Sequence, residues 1–114
     1  MIEDSDIERF ATVIYYQNLP EAERILSRLQ QYVNGDYVEG VFNALKGICN
    51  AIRSQDRSSL IMKIYGKYNL KRLDKLMARI QMSLNREFIS NYEKGYFEAW
   101  LQVLKTFRKL VEKQ

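Results

Sequence analysis

One stretch of this chain is written twice, and that repetition limits what the chain can fold into. Asp36–Ile52, DYVEGVFNALKGICNAI, returns 55 residues later as Asn91–Phe107, NYEKGYFEAWLQVLKTF. Tyr37, Gly40, Phe42 and Ala44 are answered by Tyr92, Gly95, Phe97 and Ala99. Leu45, Ile48 and Ile52 are answered by Trp100, Val103 and Phe107. Apolar residues at steps of three and four share one face of a 3.6-period helix. In the first copy Phe42, Ala44, Cys49 and Ala51 widen that face well beyond a stripe. A helix apolar over so much of its circumference needs neighbours on more than one side. Glycine weakens a helix interior by about 1 kcal/mol relative to alanine. The matched pair Gly40 and Gly95 therefore predicts close approach of another backbone.

Capping signals bound the remaining elements. Asp36-x-x-Glu39, Ser90-x-x-Glu93 and Ser5-x-x-Glu8 read as capping boxes, and Asn34-Gly35 reads as a turn. The first helix spans residues 4–17 with Ile7, Phe10, Ala11, Ile14 and Tyr15 inward. Asn18 stops and restarts the chain, and Pro20 is tolerated in the first turn of a helix running to Val33. Asp56 is expected to cap a shorter helix over 57–67, and Asn69 the next one. There Leu73, Leu76, Met77, Ile80, Leu84 and Phe88 keep helical period. The pattern continues in phase through Tyr92, Tyr96 and Trp100. Residues 70–112 are thus one long helix or, by analogy with the first copy, two with a break near Ser90-Asn91. The expectation is an all-α fold: one domain, 1–114, a compact array of about six helices built from two related helical-hairpin units. Residues 36–53 and 91–109 pack on each other or across a dimer axis. The predicted core is Phe10, Ile14, Ile25, Leu29, Val41, Leu45, Ile48, Leu73, Ile80, Leu84, Phe97, Trp100 and Leu104.

Gly35-Asp36-Tyr37-Val38-Glu39-Gly40, followed by Ala44 and Gly47, resembles the inter-helix turn and second helix of a tetratricopeptide repeat. The likeness covers one half-repeat, Gly35–Ile52, with a fainter copy at Tyr92–Phe107. It departs from that family in its 55-residue spacing, where the family has 34, in the register of Ile25, Leu29, Tyr32 and Val33, and in lacking a following proline. The resemblance implies stacked helical hairpins and a protein-binding role.

Composition removes most chemistry. The chain has no histidine and one cysteine, Cys49. A histidine-based triad is excluded and structural zinc nearly so. Cys49 lies within an apolar helix and reads as a small core side chain. One cysteine rules out an internal disulfide framework and fits a reducing compartment. No signal-peptide pattern opens the chain, and no apolar run approaches the ~20 residues of a membrane helix. A soluble, cytoplasmic protein with no membrane partner is expected. There is no glycine-rich phosphate loop. The carboxylates Asp4, Asp6, Glu8, Glu93 and Glu98 sit at or near helix starts, where caps and dipoles account for them. No catalytic residue, cofactor or metal site is assigned.

Charge is unevenly spread. Residues 1–52 hold four Lys/Arg and eight Asp/Glu, a net of −4. Residues 53–114 hold fourteen and six, a net of +8. Lys63, Lys67, Lys71, Lys75 and Arg79 fall at successive steps of four, with Arg72 beside them. Such a face engages nucleic-acid phosphate, or is simply solvated, or is neutralised by the acidic first helix lying across it. Ile64–Leu70 followed by Lys71, Arg72, Lys75 and Arg79 resembles a helix-turn-helix over residues 60–80. It departs from that pattern in the bulk of Tyr65 and the register of Leu73 and Leu76. Two functions are expected from all this. The first is a non-catalytic helical module that binds a protein partner or itself as a homo-oligomer. The second is a small basic nucleic-acid-binding protein that uses Lys63, Lys67, Lys71, Arg72, Lys75 and Arg79.

Overall fold

The two copies of the repeated stretch cross each other in the middle of the molecule. The computed structural model describes residues 1–114 and contains helices only: α1 Asp4–Tyr15, α2 Leu19–Leu29, α3 Asp36–Ser54, α4 Leu70–Leu84 and α5 Asn91–Glu112. Single 3₁₀ turns follow at Gln30–Tyr32 and Ile61–Lys63. α3 and α5 carry the two copies and form the largest interface. A Cβ on Gly40 would fall inside the van der Waals shell of the Tyr92 carbonyl, with the carbonyl carbon 2.9 Å away. A Cβ on Gly95 would meet the Tyr37 carbonyl in the same way, again with its carbon at 2.9 Å. The crossing is therefore reciprocal, and only glycine leaves room for it.

Two hydrogen bonds repeat that reciprocity. The Tyr37 hydroxyl donates to the Glu98 carboxylate, and the Asn43 amide donates to the Tyr92 hydroxyl at 2.9 Å. Asn43 and Glu98 are themselves equivalent positions, 55 residues apart. Burial, then the hydrogen bond to Glu98 and the nearby carboxylate charge, push the Tyr37 phenol up to about 12, so it stays a donor.

α2 and α4 prove to be copies as well. Asn18-Leu19, Ala22, Ile25, Leu26, Leu29 and Gln30 are answered 51 residues on by Asn69-Leu70, Leu73, Leu76, Met77, Ile80 and Gln81. Both asparagines are N-caps: Asn18 Oδ1 accepts from the Glu21 amide at 3.3 Å, and Asn69 Oδ1 from the Arg72 amide at 2.8 Å. The offset grows from 51 to 55 because α4 has 15 residues and α2 has 11. The ion pairs holding each hairpin correspond too. Glu23 of α2 pairs with Arg53 of α3, and Asp74 of α4 pairs with Arg108 of α5 at 2.7 Å.

The halves differ in the segment that precedes each hairpin, so there are five helices where about six were expected. α1 is a full helix lying on α5 and α2. Its counterpart, expected as a sixth helix over 57–67, is a string of turns around Ile61–Lys63 packed on α3. The Asp56 carboxylate accepts from the Ser58 amide and hydroxyl at 3.1 and 2.6 Å, and the Ser59 hydroxyl donates to the Asp56 carbonyl at 2.8 Å. These local bonds compete with helical ones. Gly66, at φ +74°, then turns the chain in a conformation that side chains rarely adopt. Ile61 and Ile64 are nonetheless buried, as their spacing predicted.

Smaller corrections concern helix ends. α1 starts at residue 4 as expected and ends at Tyr15 rather than 17, but its capping box is Glu3 with Asp6 instead of Ser5 with Glu8, the Asp6 carboxylate accepting from the Glu3 amide at 2.9 Å. α3 has Gly35, at φ +89°, as its N-cap. Asp36 is consequently inside the first turn and forms no box with Glu39, although both still complement the dipole. The Ser90–Glu93 box is formed, with bonds of 3.0 and 3.2 Å. The chain breaks between Leu84 and Asn91, so 70–112 is two helices. Phe88, placed by periodicity in the apolar stripe, lies in that break and is 85% exposed. Leu84 and Phe97 of the predicted core are half-buried, and its other eleven members are buried. The core is one cluster of 26 side chains, with Phe10, Leu29, Leu45, Leu73, Leu104 and Phe107 fully enclosed.

Gly40→Ala and Gly95→Ala should each destabilise the fold by about 3 kcal/mol or more, since two backbones must separate. Gly47→Ala should stabilise it by about 1 kcal/mol, because a Cβ there meets nothing within 4 Å. Urea unfolding of the three variants checks the opposite signs. Glu93 is held below the usual carboxylate range by the Arg86 guanidinium and the Ser90 cap, and Asp74 by Arg108. Their folded values are depressed, so their contribution is present at neutral pH and is lost as pH falls below about 4. Unfolding midpoints measured from pH 7 to pH 2 should show that fall, and Arg86→Ala should make it shallower.

Candidate functional site

α4 starts with the wrong charge for a helix. The other four helices carry carboxylates in their first turn: Asp4 and Asp6, Glu21, Asp36 and Glu39, and Glu93. α4 has none, and places Lys71 and Arg72 there. Cations at the positive end of a helix dipole are unfavourable, and the same end attracts anions. The Arg72 guanidinium donates to the Lys63 carbonyl at 2.8 Å. That bond ties the 3₁₀ turn to α4 and brings the cations of the two segments together.

The result is an open groove of about 770 Å³, lined by Lys63 and Lys67 from the turn segment and Arg72, Lys75 and Arg79 from α4. Met62 and Leu76 are its only apolar lining, and no carboxylate reaches it. Lys63, Lys67, Arg72, Lys75 and Arg79 are exposed and form no ion pair. Five of the six basic residues singled out from sequence thus converge on one surface. Lys71, one turn before Lys75, is exposed but does not line it. The helix-turn-helix expected over 60–80 is absent as a shape, because its first helix is the single turn Ile61–Lys63.

The first half of the chain supplies an internal comparison. Through the 51-residue correspondence, Lys75 and Arg79 occupy the positions of Arg24 and Arg28. Arg24 is paired with Glu21, and Arg28 with Asp6 at 3.5 Å. In the second half the position of Glu21 is taken by Arg72. The same helix face is therefore neutralised in one half and left positive in the other. Nor does the acidic first helix cover it. α1 lies on α5 and α2, and no ion pair joins it to α4.

Reactive groups are scarce elsewhere. Cys49 is buried, and burial pushes its thiol up to about 12, far from a usable thiolate. Three or more metal-ligating side chains come together nowhere in the chain. No helix is long and apolar enough to cross a membrane. What sequence reasoning missed is the α2/α4 correspondence. Its signal, Asn-Leu followed by the same apolar spacing, was present at an offset of 51 rather than 55.

No protein-family model, curated protein or solved structure matches the chain. A thiol reagent at pH 7 should label Cys49 only as fast as the protein opens, and labelling should become rapid in urea. Fast labelling without denaturant would contradict the burial described above.

Proposed function

We propose that the protein is a non-catalytic helical module that binds nucleic acid through its phosphate backbone, with the α4 groove as the contact surface. The observation that carries this reading is the cluster of five unpaired cations on a face whose counterpart in the same chain is neutralised. Unpaired like charges held in a groove repel one another, and a polyanion relieves that repulsion while releasing its own counterions. No aromatic side chain lines the groove, so base stacking has no platform there. Recognition would then be of backbone charge and shape, tolerant of sequence and steep in salt.

The tetratricopeptide-like half-repeat implies a protein-binding role instead. Of the residues that carry it, Gly40 is used up by the α3–α5 crossing and Ala44 is buried, whereas Gly35, Asp36, Tyr37, Glu39 and Gly47 are exposed. The free surface with the best-defined chemistry is the groove, which is why the anion is preferred.

Fluorescence anisotropy with a short duplex should give a slope of log affinity against log salt of about −3 to −4, for roughly four phosphates contacted. Lys75→Glu with Arg79→Glu should weaken binding uniformly across sequences and make the slope shallower by about 2. Arg24→Glu, at the neutralised equivalent position, should change neither. Binding that ignores salt, or that Arg24→Glu weakens as much, would end the proposal.

A further inference from the structure

The basic groove has two walls, and one side chain joins them. Lys63 and Lys67 come from the turn segment, which packs on α3, while Lys75 and Arg79 come from α4. Arg72 stands at the junction, its Nη1 donating to the Lys63 carbonyl at 2.8 Å. No other hydrogen bond links residues 57–67 to α4. A neutral carbonyl orients the guanidinium without cancelling its charge. The side chain makes no further hydrogen bond, so its Nε–Nη2 edge is left open on a residue that lines the groove. That edge is the fork with which arginine meets an oxyanion through two parallel bonds.

The first half of the chain shows such an edge in use. Both Nε and Nη2 of Arg24 donate to the Glu21 carboxylate, the Nε bond at 2.8 Å. Arg72 takes the position of Glu21, so the second half has lost that internal oxyanion and gained a fork in its place.

Charge density points to the kind of phosphate. Five cations share about 770 Å³, a space only about 9 Å across, over which one duplex strand, with a charge every ~3.4 Å of axis, presents about three phosphates. Each of these is a diester with a single negative charge. Two of its oxygens carry nucleosides and cannot face a cation. A terminal phosphomonoester carries about −1.5 to −2 at pH 7 and offers three strong acceptor oxygens. Donors converging from two walls, with a fork between them, suit a group that can be approached from three sides. Met62 and Leu76 are the only apolar lining, so the terminal sugar and base gain little and the phosphate decides.

We infer that the groove prefers the phosphorylated end of a nucleic-acid strand, with Arg72 as the fork on the terminal phosphomonoester and Lys63, Lys67, Lys75 and Arg79 around it. This rests on the nucleic-acid reading of the groove and narrows it: interior backbone binds the same cations less tightly.

Hairpin duplexes of one sequence, dye-labelled in the loop, test this when they differ only at their single blunt end, which carries a 5′-phosphate, a 3′-phosphate or hydroxyls alone. Anisotropy titrations with the full chain should give about tenfold tighter binding to one or both phosphorylated hairpins, with a salt slope steeper by about 1. Arg72→Lys keeps the charge but lacks the fork. It should bring the phosphorylated hairpins to within about twofold of the hydroxyl hairpin, whose own affinity should hold. Arg72→Glu, which restores the acid found at Glu21, should also erase the preference. Urea unfolding checks that both variants keep the fold. Equal affinity for all ends with the steep salt dependence intact would overturn this inference and leave the backbone reading standing. Absence of salt-dependent binding to any hairpin would overturn both. A preference that survives Arg72→Lys would also overturn the inference. So would a phosphoserine peptide of equal charge that displaces the phosphorylated hairpin as well as unlabelled hairpin does, and the groove would then belong to a protein partner.

Discussion

Two helix backbones in van der Waals contact decide the shape of this molecule. Gly40 and Gly95 let α3 and α5 approach until each glycine faces a carbonyl of the other helix. No side chain can be interposed there, so the crossing point and the rotation of both helices are fixed together. The Tyr37–Glu98 and Asn43–Tyr92 hydrogen bonds flank the contact and repeat its reciprocity. Everything else is placed relative to this pair. α2 and α4 lean on their own partners, with Glu23–Arg53 and Asp74–Arg108 at matching positions.

A doubled chain is its own control. Where both halves keep a feature, its role in the scaffold explains it. The asparagine caps, the inter-helix ion pairs, the crossing glycines and the apolar spacing of α2 and α4 belong here. Where the halves differ, the scaffold does not demand the difference. Two differences stand out: the acid that quenches Arg24 in the first half has become Arg72 in the second, and Gln102 has become Gly47. The first leaves a positive groove; the second leaves open space at Gly47 where Gln102 reaches Glu8.

Much of this was legible in the residues. Helical period placed eleven of the thirteen predicted core side chains in the interior. The paired glycines announced a close contact before any coordinates, because a helix gives up stability to hold a glycine unless space demands it. The stripe of Lys63, Lys67, Lys71, Lys75 and Arg79 was visible as a step of four, although Lys71 does not line the groove. Failures came where a local signal was overridden. Phe88 continues the apolar pattern of α4, yet the chain turns there to return as α5. Residues 57–67 have helical spacing at Leu60, Ile61 and Ile64, yet Asp56, Ser58 and Ser59 bond their own backbone instead.

The sequence alone determined the class of fold, the two helices at its centre, the glycines at which a backbone comes close and the sign of each half's charge. These depend on spacing and on residue type, which are one-dimensional. Only the tertiary structure decided that α1 lies on α5 rather than on α4, and so leaves the basic residues uncovered. It alone brought Lys63 and Lys67 against Arg72, Lys75 and Arg79, and left Phe88 in the exposed break between α4 and α5. Those relations are distances between separate elements. They depend on how each helix rotates to bury its own apolar face, which no single element specifies by itself.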